Sequence, residues 1–281
     1  MEVLEKDGVV QVQLEDSLNL DHIFRCGQCF RWRPSERGGY IGAAYGKAAR
    51  VWQQENSLFL RCSAEEFHGV WRRYFDLDRR YDLLARRFCL NEFMKKAAAH
   101  GRGLRILRQQ PWEALISFIV SQCNNIPRIS GILQTMCQLW GQPLELEGET
   151  LYAFPTPEAL AALSLEDLAP LRAGYRAKYI LAAAQAVSRG ELDFASLEAM
   201  DADQARQALT ALPGVGRKVA DCALLYGLGK LEAFPVDAWM KKAAPFYGVA
   251  PEEFGSLAGV AQQYIFYYAR ESGLKELPAR D

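Results

Sequence analysis

The stretch Leu212-Pro213-Gly214-Val215-Gly216-Arg217-Lys218-Val219-Ala220-Asp221 gathers residue types that can hold an anion. Pro213 cannot continue a helix and biases its neighbour out of the α region, so one helix ends at Leu212. Gly214 and Gly216 permit positive φ and close backbone approach. A second helix then begins with bases in its first turn. Free N–H groups at a helix start point outward, and the dipole there favours an anion. Arg217 and Lys218 run against that dipole, so they serve something outside the helix. Phosphate fits this pattern; an αα-hairpin with solvated bases is the plainer alternative.

Nineteen residues beyond Lys218 comes Phe234-Pro235-Val236-Asp237. The intervening stretch, Val219 to Leu228, reads as an apolar helix ending at the Gly227/Gly229 pair. Asp237 then lies at or near the start of the next helix. It is either that helix's N-cap or a carboxylate returned by the loop to share a cleft with Lys218.

The elements that must position these residues change character along the chain. Runs at Val9–Leu14, Gly39–Ile41, Ala49–Trp52 and Leu58–Cys62 read as strands, and turn signals separate the later ones. After Ser63 the apolar period becomes helical, over 65–74, 82–98, 111–123, 126–140, 155–171, 178–188, 203–212, 215–228, 236–247 and 257–269. Strands followed by helices predict an α+β protein, with an N-terminal antiparallel β-sheet domain at 1–115 and an all-helical domain at 116–281. The acidic stretch Pro143–Glu149 is expected to be an exposed connection.

Composition narrows the classes. Half of the 281 residues are hydrophobic, enough for a real core and against disorder. No run of 18 apolar residues occurs, and MEVLEKDGVV lacks a basic start followed by an apolar stretch. Neither a membrane span nor a secretory signal is expected, and the cytoplasm (the nucleus in a eukaryote) is the default. Seven irregularly spaced cysteines suit reduced thiols rather than a disulfide framework. The lone CxxC at Cys26–Cys29 has no second pair or histidines near it to make a zinc site, and nothing forms an iron–sulfur ligand set. The net charge of −1 hides segregation: residues 71–108 hold eleven bases and four acids, and 141–170 hold six acids and no base. The segregation fits either a polarised molecule or two solvated helix faces.

Leu212–Cys222 together with Phe234–Trp239 resembles the signature of the helix–hairpin–helix DNA glycosylases, and within them the 8-oxoguanine DNA glycosylases. The resemblance runs from about residue 10 to about residue 270. It includes Cys26-Gly27-Gln28-Cys29-Phe30-Arg31-Trp32, Tyr74–Asp78, Ser121–Ile129, Gly174–Tyr179 and Ala261–Phe266. It implies a base-excision repair enzyme that flips 8-oxoguanine, in a pair with cytosine, out of duplex DNA and then cleaves the strand. Lys218 would attack C1′ and carry the Schiff base, and Asp237 would stabilise charge on the sugar. The carbonyl of Gly27 would accept the N7–H that guanine lacks. Cys222 and Phe266 would sandwich the purine, and Gln262 would bind its Watson–Crick edge.

For DNA contact the resemblance implies Asn124 and Asn125 in the asparagine-rich element, Arg128 on the orphaned cytosine, and Tyr175 and Arg176 as wedges. Gly214 and Gly216 would hold phosphates, with Trp239 at a position where relatives carry a phosphate-binding His. A monovalent cation could sit on carbonyls near Leu212 and Val215; no other cofactor is implied. Damaged double-stranded DNA is the expected partner, with no membrane and no obligate protein partner. Cys123 and Ala269 depart from the family pattern, which bears on opposite-base strictness and pocket support. Two other readings remain: a glycosylase of the same fold for alkylated purines, which usually lacks this lysine, and a non-catalytic hairpin module.

Overall fold

The computed structural model describes residues 1–274; the last seven positions of the expected helical domain, 275–281, lie outside them. Six antiparallel strands form the N-terminal sheet in the order β1-β2-β6-β5-β4-β3. These are β1 (Glu2–Lys6), β2 (Val9–Gln13), β3 (Arg33–Pro34), β4 (Tyr40–Ala44), β5 (Lys47–Gln54) and β6 (Ser57–Arg61). Alternation sets the register: Val10 and Val12 of β2 face Leu60 and Leu58 of β6, and all four are fully buried. Strand β1 was invisible to that rule. It is an edge strand with no buried side chain, held by its pairing with β2.

The helical region departs from the periodicity in three places. The stretch 82–98 divides into Tyr81–Arg87 and Glu92–His100. Asn91 stops and restarts the helix: its Oδ1 caps the Met94 N–H at 2.9 Å, and its amide donates to the Tyr247 carbonyl at 2.6 Å. The stretch 155–171 keeps only Pro157–Ala161 and a 3₁₀ turn at Ala169–Leu171, because a Ser164–Asp167 turn intervenes. In 215–228 an α-helix, Arg217–Cys222, passes into a π-turn at Ala223–Gly227; such turns are frequent at functional sites.

Two hydrophobic cores form. One lies under the sheet and includes Ile23, Phe24, Trp71 and Leu107. The other fills the helical region and takes in Phe88, Phe93 and Met94 as well. Helix Pro111–Val120 runs across position 115/116, so the two cores do not divide at that point.

The acidic stretch is not an exposed connection. It is a hairpin, β7 (Pro143–Leu146) with β8 (Glu149–Tyr152), clasped by arginines of the sheet domain. Arg50 makes two bonds to the Glu147 carboxylate, at 2.6 and 3.2 Å. Arg61 lies 3.7 Å from Glu147, Arg37 donates to its carbonyl at 3.2 Å, and Arg33 pairs with Glu149 at 2.5 Å. Much of the basic segment is likewise spent internally. Arg105 is fully buried on Asp16 at 3.0 Å, and Arg72, Arg73 and Arg79 pair with Asp78, Glu198 and Asp76. Each charged segment is thus partly neutralised, by residues outside the other segment.

The Arg50 hydrogen bonds hold the Glu147 carboxyl below its usual range, against the opposing effect of burial. A depressed folded-state value adds stability above the unfolded value of about 4.3, and that stability is lost as pH falls through the folded value. Glu147→Gln should therefore lower unfolding free energy at pH 7 by about 1–3 kcal/mol. The gap from wild type should narrow toward pH 3 in thermal melts; a gap that does not depend on pH would contradict the clasp.

Candidate active site

The hairpin forms where the sequence places it. Helix Ala202–Thr210 ends just before Leu212, and helix Arg217–Cys222 follows the glycines. The two glycines do different things. Gly214 has φ +78°, and a Cβ there would overlap the Tyr179 ring. Gly216 is extended (φ −87°, ψ 175°), with open space where its Cβ would be, so positive φ is needed at only one of them. The Leu212 carbonyl accepts from Val215 N–H at 3.1 Å, and the Val215 carbonyl takes no hydrogen bond from the described residues. An unused carbonyl beside one with a spare lone pair fits a monovalent cation.

Lys218 is half-buried. Its Nζ donates to Ser121 Oγ at 3.0 Å and lies 5.1 Å from the centre of the Phe118 ring. Ser121 in turn donates to the Phe118 carbonyl at 2.8 Å, which turns its lone pairs toward the amine. Asp237 is an N-cap: Oδ1 accepts from Met240 N–H at 2.9 Å, and Oδ2 has no hydrogen-bond partner among the described residues. Capping does not exclude the cleft. Burial pushes the Cys222 thiol up to about 11; the nearby Lys218 charge opposes that rise, and Asp237 adds to it. Lys218, Asp221 and Asp237 all lie near enough to that thiol to act on it. Behind the helix, buried Asp221 pairs with Arg206 at 2.6 Å and with exposed Arg217 at 3.7 Å, which ties the hairpin helix to the helix before it.

The second wall comes from the Cys26–Cys29 loop. Gln28 is fully buried. Its amide donates to the carbonyls of Ile23 (3.1 Å) and Arg105 (2.8 Å) and accepts from Leu107 N–H at 2.8 Å. Burial raises the Cys26 thiol to about 12 and Cys29 well above its ordinary value, so this CxxC is structural. Gly27 has φ +82°, and its Cα faces the Phe266 ring, Arg270 and Ile126. The C-terminal helix, Ala258–Ser272, grips the loop directly. Gln263 donates to the Cys26 carbonyl at 3.0 Å and accepts from the Tyr226 hydroxyl, and Arg270 donates to the Arg25 carbonyl. Gln262 is buried with an unpartnered Oε1.

The outer residues separate into two groups. Tyr175 is 48% exposed, with its hydroxyl 3.5 Å from the Gln122 carbonyl and its ring under Arg176 at 4.6 Å. Arg128 is exposed, with one nitrogen 3.2 Å from the Arg172 carbonyl. Arg176 does not share that exposure. It is buried and donates to the carbonyls of Gln122, Cys123 (3.0 Å) and Ala173 (3.2 Å), so its guanidinium is committed to holding the 121–125 loop instead of wedging outward. Asn124 donates to Val120 O at 3.1 Å and accepts from Asn125 N–H, while Asn125 caps the next helix through Arg128 N–H at 3.0 Å. Trp239 is half-buried under Lys242, 4.9 Å from its ring. Sequence reasoning missed Ser121, Gln263 and Arg270. The spacing 262, 266, 270 could have disclosed Arg270 as the next residue on one helix face.

No group of three or more His, Cys, Asp or Glu that could hold a metal occurs among the described residues, and no helix there is long and apolar enough to cross a membrane.

The backbone of the hairpin yields a direct test. Gly214→Ala should cost at least about 2 kcal/mol from positive φ and overlap with Tyr179. Gly216→Ala should stay within about 0.5 kcal/mol. Equal melting temperatures for the two variants would contradict the asymmetry.

Two family models divide the chain between them. Residues 9–115 match the 8-oxoguanine DNA glycosylase N-terminal domain, and residues 116–253 match the HhH-GPD superfamily of base excision DNA repair proteins. A probable N-glycosylase/DNA lyase of Methanothermobacter thermautotrophicus is 38% identical over 62% of this chain and 65% of its own length, slightly under two thirds. The N-glycosylase/DNA lyase of Saccharomyces cerevisiae is 32% identical over 82% of this chain and 68% of its own. The 8-oxoguanine glycosylase/lyase of Clostridium acetobutylicum, solved with double-stranded DNA carrying cytosine opposite 8-oxoguanine, superposes with TM-score 0.93. It shares 39% identity, over 97% of this chain and 99% of that one.

Proposed function

This chain belongs to the 8-oxoguanine DNA glycosylase family of helix–hairpin–helix base-excision repair proteins, and from that membership we propose that it is a bifunctional glycosylase and abasic-site lyase acting on 8-oxoguanine in duplex DNA. The observation that carries the assignment of its site is the half-buried Lys218 at the start of the hairpin helix, its Nζ held only by neutral partners such as Ser121 Oγ at 3.0 Å. A hydrolytic glycosylase would need only the Asp237 carboxylate. A lysine so held supplies a nucleophile that stays bonded to the sugar.

The flipped nucleotide enters the space bordered by the Gly27 loop, Cys222 and the Phe266 face of the C-terminal helix. Lys218 Nζ, held by Ser121 until substrate arrives, bonds to C1′ as the C1′–N9 bond breaks and its electron pair leaves with the base. Asp237 Oδ2, which has no hydrogen to accept, stabilises the positive charge that develops on the sugar. Ring opening gives the imine, which acidifies the 2′ hydrogens. Loss of one of them expels the 3′ phosphate by β-elimination. Cys222 and Phe266 hold the two faces of the purine, Gln262 meets its Watson–Crick edge, and Gly27 O accepts N7–H. A buried donor without its acceptor costs roughly 1–3 kcal/mol, which is enough to weight the choice against undamaged guanine.

Exposed Arg128 and Tyr175 supply the orphan-base contact and the stacking surface, and buried Arg176 positions their loop. Gly214 and Gly216 lay the hairpin backbone against the phosphates; the Leu212 and Val215 carbonyls would hold a monovalent cation, which would supply positive charge beside them. Trp239 and the pair Asn124 and Asn125 border the same surface.

Borohydride should trap a covalent adduct on 8-oxoguanine duplexes, and Lys218→Gln should abolish both the adduct and cleavage while binding persists. Strand nicking by that variant would move the nucleophile elsewhere. Arg128→Ala should narrow the rate gap between cytosine and other bases opposite the lesion, as read in single-turnover kinetics; an undiminished gap would remove Arg128 from that role.

A further inference from the structure

Four buried side-chain atoms lack a hydrogen-bond partner among the described residues: Trp71 Nε1, Arg105 Nε, Gln262 Oε1 and Arg270 Nη1. Two of the four lie on one face of the C-terminal helix, at positions 262 and 270, with Phe266 between them at i+4. An idle acceptor and an idle cationic donor therefore flank an aromatic ring. Unsatisfied buried polar atoms are rare, and two of them on one face of one helix point to a ligand that completes both.

The Gln262 acceptor meets the donors of a purine's Watson–Crick edge, as assigned above. The Arg270 donor needs an acceptor at the opposite edge. Nη1 lies 3.2 Å from the position a Cβ would take on Gly27, beside the Phe266 edge at 3.4 Å. The guanidinium carbon is 5.5 Å from the Phe266 ring centre. Its other nitrogens are already occupied: Nη2 holds the Arg25 carbonyl, and Nε and Nη2 bind Glu271 at 3.3 and 2.9 Å. Only Nη1 is left for a ligand, and it stands next to the residue assigned to N7–H.

We infer that Arg270 is a specificity-determining residue whose Nη1 donates a hydrogen bond to the C8 carbonyl oxygen of the flipped lesion. This rests on the placement of the base against Gly27 proposed above. In 8-oxoguanine the C8 oxygen and N7–H are adjacent on one ring edge, so an acceptor and a donor side by side read both. Guanine fails twice there: its N7 has no hydrogen for Gly27, and its C8–H faces a charged donor. The same contact favours the chemical step. As C1′–N9 breaks, the electron pair spreads from N9 through C8 onto that oxygen, where the guanidinium stabilises it.

The test uses the full chain and two lesions opposite cytosine, 8-oxoguanine and 8-thioguanine. Both carry N7–H, but sulfur at C8 is the poorer acceptor. Excision is normalised to each variant's own cleavage of a preformed abasic site, which reports folding and Lys218 independently of the base. Arg270→Met should lower normalised 8-oxoguanine excision roughly 10- to 100-fold, the worth of a charge-assisted hydrogen bond. It should also shrink the oxo-over-thio preference by about tenfold, and Arg270→Lys should recover part of both. An oxo-over-thio preference unchanged in Arg270→Met overturns the inference, even if both rates fall, because a purely structural role would lower them together. Wild-type protein that releases no 8-oxoguanine and traps no adduct would instead refute the function itself.

Discussion

One buried amide holds the site together. Gln28 bonds to the end of the first helix through Ile23 and to the 105–107 segment through Arg105 and Leu107. In the other direction Gln109 donates to the Gln28 carbonyl at 2.6 Å. The loop that carries Gly27 is thereby fastened at its base, and Gln263 and Arg270 fasten its far side to the C-terminal helix. A pocket wall made from a loop is only as accurate as these bonds, because carbonyl readout tolerates shifts of well under an ångström. The left-handed backbone at Gly27 follows from the same constraint: the chain turns tightly here while pressed against an aromatic ring.

The hairpin side is fixed by different means. Its position comes from packing and from the Asp221–Arg206 pair, which ties it to the preceding helix. That division keeps the reactive groups lightly committed. Lys218 has neutral partners in the Ser121 hydroxyl and the Cys222 thiol, and Asp237 uses one oxygen to cap a helix and keeps the other. A lysine locked in a buried ion pair would be harder to recruit as a nucleophile, since breaking such a pair leaves an uncompensated charge. The Asp221–Arg206 pair is bonded for structure, whereas the groups assigned to chemistry or readout hold bonding capacity in reserve.

Charge is distributed by the same logic. The basic and acidic segments that look like opposed surfaces in the sequence each find partners elsewhere in the fold, the acidic one on Arg33, Arg50 and Arg61 and the basic one on Asp16, Asp76, Asp78 and Glu198. The β7–β8 hairpin carries its carboxylates to arginines on the sheet and so adds one link between the sheet and the helical region. Buried Arg176, likewise, acts through the loop it supports rather than by direct reach.

The sequence by itself determined the strands-then-helices order, the hairpin break at Pro213-Gly214, and the pairing of Lys218 with Asp237 as candidates. These depend on local rules: periodicity, proline and glycine geometry, and motif spacing within a few tens of residues. It also supplied the family, through several motifs in the right order. Only the tertiary structure decided that Gly216 needs no special backbone, that Arg176 is buried and that the acidic stretch is a clasp. It alone brought Arg270 to Gly27, 243 positions away in the chain. Hydrogen-bond satisfaction explains the difference. Whether a polar atom is spent or free depends on neighbours distant in sequence, and no local pattern records them.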